Sequence, residues 1–186
     1  MEIPYLASVE WYAGYLSALI RDEECKPLID RRTLNRCRII GANGEQTLSV
    51  PIVGGGKILK YHSNKEILLS EHGNWRHLHW GAIFSAYGKA PFFEHYAPLI
   101  EPLFSQEFSY LHELNESFHH EILKILKINE LKDHCSTIDK SVFSTEYYQI
   151  RANKFGFISG LSILDLIFNM GPESIFVLLA HDSKPA

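Results

Sequence analysis

The sequence predicts an α/β fold: a small, mostly parallel sheet grown from an N-terminal β-α-β unit and followed by a helical C-terminal half, with α+β as the alternative. Three observations carry it. A short apolar run, Ile3 to Ala7, precedes a helical pattern and then a second short run, Pro27 to Asp30. The stretch Thr47 to Val53 alternates and is rich in β-branched residues, as a half-buried strand does. From Trp75 onward apolar residues return at intervals of three and four, the spacing of one helix face.

The elements follow in order. Ser8 is placed to cap a helix, with Glu10 as an acid in its first turn and Trp11, Tyr12, Tyr15, Leu16 and Leu19 as its buried face. Asp22, Glu23 and Glu24 close it. The run Arg31 to Arg38 holds four arginines; read as a helix, it sets Arg32 and Arg36 on one face and Leu34 and Cys37 on another. Gly41 to Gly44 marks a turn, because Asn-Gly accepts positive φ. Pro51 limits the strand that follows, and Gly54 to Gly56 is a flexible loop matching no phosphate-binding fingerprint. Glu66 to Leu69 is a further short strand candidate. Asn74 is placed to cap a helix from Trp75 to Tyr87 that stops at Gly88. A second helical pattern runs from Phe92 to Leu103, and Ser105 to Ile128 reads as one amphipathic helix with Asn115 inside its apolar stripe. Residues 129 to 150 are polar and aperiodic, with a short strand near Val142 or Tyr147. A dense apolar helix starts near Ser159 or Gly160 and ends at Gly171-Pro172, and Ser174 to Ala180 forms the last helix. No internal repeat breaks the chain, which reads as one domain over residues 1–186.

Composition narrows the function classes. Apolar residues make up 46% and charged residues 22%, which supports a packed core rather than a disordered chain. A net charge of −4 supplies no global field for nucleic acid or an anionic membrane, so neither nucleic-acid binding nor membrane insertion is expected. The N-terminus has no basic region of the signal-peptide kind. Cys25, Cys37 and Cys135 are odd in number and widely spaced, which suggests reduced thiols and a cytoplasmic setting. Oligomeric state is not legible.

Candidate chemistry centres on WRHLHW, Trp75 to Trp80, and on the arginine run. Asn35, Arg36, Arg38 and Arg76 form one expected anion-binding set, because guanidinium forks grip phosphate or carboxylate. Trp75 and Trp80 are expected to stack on a ring, and His77 and His79 titrate near neutrality and suit proton transfer. Two residues apart on a helix diverge by roughly 200°, so only one histidine can face a ligand. The expected partner is a small anion: a phosphate, a nucleotide-sugar or a carboxylate. His112, Glu116 and His119 fall on one helical face in a metal-like spacing, but without the HExxH pattern. No metal and no cofactor is therefore expected. Cys37, between arginines, reads as structural. Asp165 and Asn169 form a polar pair on an apolar helix.

Four stretches resemble the WbqC-like family in its short form. They are NRCRIIGANGEQTLSVPIV (Asn35 to Val53), HGNWRHLHWGAIFSAYGKAPFFEHYAP (His72 to Pro98), the Tyr110, Leu114 and Asn115 portion of the long helix, and FGFISGLSILDLIFNMGPESI (Phe155 to Ile175). The resemblance implies a role near bacterial surface-polysaccharide (O-antigen-like) biosynthesis. It points to a transferase acting on an anionic activated sugar or similar metabolite, with a non-catalytic binding or scaffold protein as the alternative. Longer members carry a YLPW-type stretch and a glycine-rich loop reminiscent of nucleotide-binding folds. Here the first reads YLASVEWY (Tyr5 to Tyr12), residues 129 to 150 hold no glycine, and Leu34 and Gly160 replace a basic residue and an asparagine usual in the family.

Overall fold

The computed structural model describes residues 2–21, 30–128 and 145–181. Helices α1 (Val9–Ile20), α2 (Trp75–Tyr87), α3 (Phe93–Ile100), α4 (Leu111–Ile125), α5 (Ala152–Phe155), α6 (Ile163–Met170) and α7 (Ser174–His181) surround one hairpin, β1 (Arg36–Gly41) with β2 (Gly44–Ser49). The two strands are antiparallel, in a register running from Arg36 opposite Ser49 to Gly41 opposite Gly44.

This overturns the expected parallel sheet. Among the described residues the only sheet is that two-stranded antiparallel hairpin, so the α+β alternative fits in part. The reason lies in the first expected strand. Ile3 to Ala7 is buried, but Leu6 takes a left-handed φ of +42°, which no strand ladder accommodates. The segment is instead laced between distant elements. Tyr5 N donates to Leu34 O at 3.0 Å, Ile163 N to Ala7 O at 2.9 Å and Val9 N to Leu161 O at 3.1 Å. The long helix adds a clamp: Asn115 Nδ2 donates to the carbonyls of Ile3 (2.8 Å) and Leu34 (3.0 Å). The polar residue in that apolar stripe therefore satisfies buried backbone. The second expected strand, Pro27 to Asp30, lies outside the described residues except for Asp30, as does the candidate at Val142.

The arginine run is a second correction. It forms a single 3-10 turn, Arg31–Thr33, and then enters β1. Side chains in a strand alternate, so Arg36 and Arg38 share the exposed face while Cys37 and Ile39 point into the core. The strand expected over Thr47 to Val53 begins three residues earlier and ends four earlier, because the Gly41–Gly44 turn is tight and the strand stops before Pro51. Glu66 to Leu69 makes only isolated bridges, Ile52 to Leu69 and Leu68 to Tyr110.

The helices follow their patterns more closely. Ser8 Oγ accepts from Trp11 N at 3.2 Å, and Val9, Trp11, Tyr12, Ala13 and Leu16 form the buried face of α1. In α2 the inward face is Trp75, His79, Ile83, Ala86 and Tyr87, while Leu78 and Phe84 stay exposed. Asn74 precedes this helix in a left-handed conformation, and its side chain makes no cap. The helix expected from Ser159 begins at Ile163, because Gly156 and Gly160 hold φ of +73° and Ser162 makes the cap. Residues from Ile3 to Leu179 share one hydrophobic core. The stretch Ile163–His181 is long and apolar enough to cross a membrane, yet 72% of it is buried within the fold.

Candidate functional site

The exposed face of β1, the first turn of α1 and the turn at Gly160 enclose a cleft of about 870 Å³. Arg32, Arg36 and Arg38 line it, together with Ser8, Glu10 and Gly160. Three of the four arginines of the run already have carboxylate partners. Arg31 pairs with Glu2 at 3.1 Å, Arg32 with Asp30 at 3.1 Å, and Arg38 with Glu45, its Nε at 3.1 Å from Oε2. Arg36 has no ion-pair partner among the described residues, and its Nη2 lies 3.9 Å from where a Cβ on Gly56 would sit. An unpaired guanidinium on a concave wall has the chemistry to take an anion.

Part of the wall is built by glycine. Gly160 carries φ of +73°, and a Cβ there would come within 2.7 Å of Arg38 Nη1. The backbone and the guanidinium approach this closely because nothing projects between them. Gly160 N also donates to Glu10 Oε1 at 2.7 Å, which pins the carboxylate at the cleft. Glu10 Oε2 is buried without a hydrogen-bond partner. Leu6, in its left-handed conformation, forms part of the same wall, a backbone strain of the kind that clusters at ligand sites.

The expected site residues are thus divided. Arg36 and Arg38 face the cleft. Asn35, one residue away, is buried beneath it and donates through Nδ2 to Val50 O at 2.7 Å. Arg76 lines a different cleft, walled by Val53, Leu68 and Phe108. His77 is exposed on α2 and is not among the lining residues of either cleft. His79 is buried, its Nδ1 3.0 Å from the Tyr5 hydroxyl. Burial pushes its pKa down to about 4, against a hydrogen bond to the Ser49 backbone that raises it. Trp75 is sealed against Tyr5 and His79, and Trp80 packs half-buried on Phe93 and Phe104. The aromatic and histidine density of WRHLHW is therefore mostly packing.

Other candidates resolve similarly. His119 turns inward from the metal-like triplet to meet the Tyr12 hydroxyl at 3.0 Å, and burial lowers its pKa to about 4. Among the described residues no group of three or more histidine, cysteine or carboxylate side chains is arranged to hold a metal. Cys37 is buried, which raises its thiol pKa and removes it as a nucleophile. Asp165 is fully buried and accepts from Tyr147 Oη (2.7 Å) and Gln149 Nε2 (3.1 Å). Burial pushes its pKa up to about 6 despite those bonds. Sequence reasoning placed Glu10 only as a first-turn acid, and Gly160 as a helix start and a departure from the family's asparagine.

The profile of the WbqC-like protein family matches residues 25–146. The chain belongs to the WbqC-like protein family. The match takes in Arg36, Arg38 and Arg76, while the Glu10 and Gly160 wall of this WbqC-like protein lies outside it. No curated protein and no solved structure matches the chain.

Proposed function

We propose that this WbqC-like protein binds a small anionic metabolite in the cleft between α1 and β1. We further propose that it acts there as a transferase on an activated, sugar-like substrate in bacterial surface-polysaccharide assembly. The observation that carries the reading is Arg36. It stands without an ion pair among the described residues, beside Arg32 and Arg38, on the wall of a cleft of about 870 Å³. That volume lies in the range of small-molecule sites. The Glu10 carboxylate, which lines the same cleft, supplies an acceptor for a hydroxyl of the same ligand.

One observation favours the second reading, a non-catalytic binding or scaffold protein. Neither His77 nor His79 lines the cleft, and no other histidine among the described residues does, so none of them is placed there as acid or base. Isothermal titration against nucleotide sugars, sugar phosphates and inorganic phosphate tests the binding. Arg36→Ala is expected to weaken binding about 10- to 100-fold, the loss of one charge-assisted contact of about 1.5–3 kcal/mol. Equal affinity in the variant sinks the site. Release of nucleotide from a bound sugar donor, lost in Glu10→Gln, separates the transferase from the scaffold.

A further inference from the structure

The second cleft, of about 760 Å³, is built around Arg76 and shares no lining residue with the first. The Arg76 guanidinium lies over the Trp75 ring, 4.6 Å from its centroid. Its Nη1 donates to Glu71, whose side chain is largely exposed. Its Nε and Nη2 are buried and have no acceptor. Leaving charged donors buried and unsatisfied is costly, and the Nη1 contact with the exposed Glu71 is one that a ligand carboxylate can take over. The cleft wall is apolar where it could be polar: Val53 is 50% exposed and Leu68 44%, and Phe108 stands beside them. Two acids, Glu71 and Glu107, line the same space. They penalise a dianion such as phosphate more than a monoanion. We infer that the Arg76 cleft is a binding site for a small monocarboxylate with a short apolar body, its carboxylate on the Arg76 guanidinium in place of Glu71 and its chain against Val53 and Leu68.

The site is independent of the anion cleft and stands or falls separately. The test titrates the whole protein with hexanoate, acetate and inorganic phosphate at constant ionic strength. It follows the Arg76 Nε–H resonance by NMR and, in parallel, tryptophan fluorescence, which Trp75 reports by its contact with the guanidinium. Hexanoate is expected to shift the resonance saturably and to bind at least about fivefold more tightly than acetate, with phosphate weaker than both. Glu71→Gln is expected to tighten hexanoate several-fold by releasing Nη1 and removing a like charge. Arg76→Met, which keeps the stem on Trp75, is expected to abolish the fluorescence change. Should Arg76→Met not fold, Val53→Ser serves in its place, and hexanoate is expected to fall to the affinity of acetate. An unshifted resonance overturns the inference, as does unchanged hexanoate affinity in either variant. Phosphate binding more tightly than hexanoate overturns it too.

Discussion

His79 and His119 each meet a buried tyrosine hydroxyl, and both are held neutral, with pKa lowered to about 4. In the unfolded chain both would titrate near 6.5. Between those limits the unfolded state binds more protons, so their contribution to stability is complete above pH 6.5 and is lost as pH falls toward 4. Each accounts for about 3 kcal/mol at full development. Asp165 opposes them, since its pKa is raised to about 6 and the folded state holds its proton longer. Two histidines against one carboxylate leave a net uptake of about one proton on unfolding near pH 5. Urea denaturation from pH 7 to pH 4 is expected to show stability falling throughout that window. His119→Asn, which offers an acceptor but cannot gain the charge, is expected to flatten the slope close to zero. An unchanged slope in that variant would show that the acid sensitivity arises elsewhere.

Two glycines with similar dihedrals make opposite demands on the segments that hold them. Gly171, which ends α6 at φ of +55°, has three atoms of the Phe92 ring within 2.7 Å of a Cβ position. Gly55, at φ of +71°, has open space there. Gly171→Ala is expected to cost roughly 2–4 kcal/mol through strain and overpacking, and Gly55→Ala about 1 kcal/mol through strain alone. Thermal unfolding of the two variants separates the terms. The residues before α6 are fixed by Gln149, which donates to Ile158 O at 2.8 Å and accepts from Ile158 N at 2.9 Å. Gln149→Ala is expected to cost about 2 kcal/mol and to speed amide exchange at Ile158 more than at Leu16 in α1. The helices around these features were legible in the sequence, because their apolar residues recur with the helical period. The arginine run was misjudged because RRTLNRCR satisfies two periods at once: Arg32 and Arg36 are four apart, Arg36 and Arg38 two. The following Ile39 and Ile40 belong to the strand, and tertiary pairing with β2 decided the matter. In the cleft, the charge density of Arg36 and Arg38 was legible in the sequence. The meeting of Glu10 with Gly160 was not, since 150 positions separate them and only the packed core brings them together.

At the scale of the molecule, the two clefts predict distinct linkage behaviour. A ligand present at a hundred times its dissociation constant is expected to add about 2.7 kcal/mol of stability. If the clefts are energetically independent, a saturating sugar phosphate and saturating hexanoate are expected to raise the unfolding free energy additively. A sum deviating by more than about 0.5 kcal/mol would instead reveal coupling through the Tyr5, Trp75 and His79 packing that lies between them. The lacing of Ile3 to Val9 has a different consequence, in the order of synthesis. These residues are synthesised before the partners of their backbone, which include Leu34, Asn115, Leu161 and Ile163. At ordinary translation rates the last partners follow after roughly ten to thirty seconds. Throughout that interval Tyr5, Leu6, Trp11 and Tyr12, all buried in the finished fold, have no completed core to enter. The nascent chain therefore carries this apolar segment unprotected until Leu161 and Ile163 have emerged to close the fold around it.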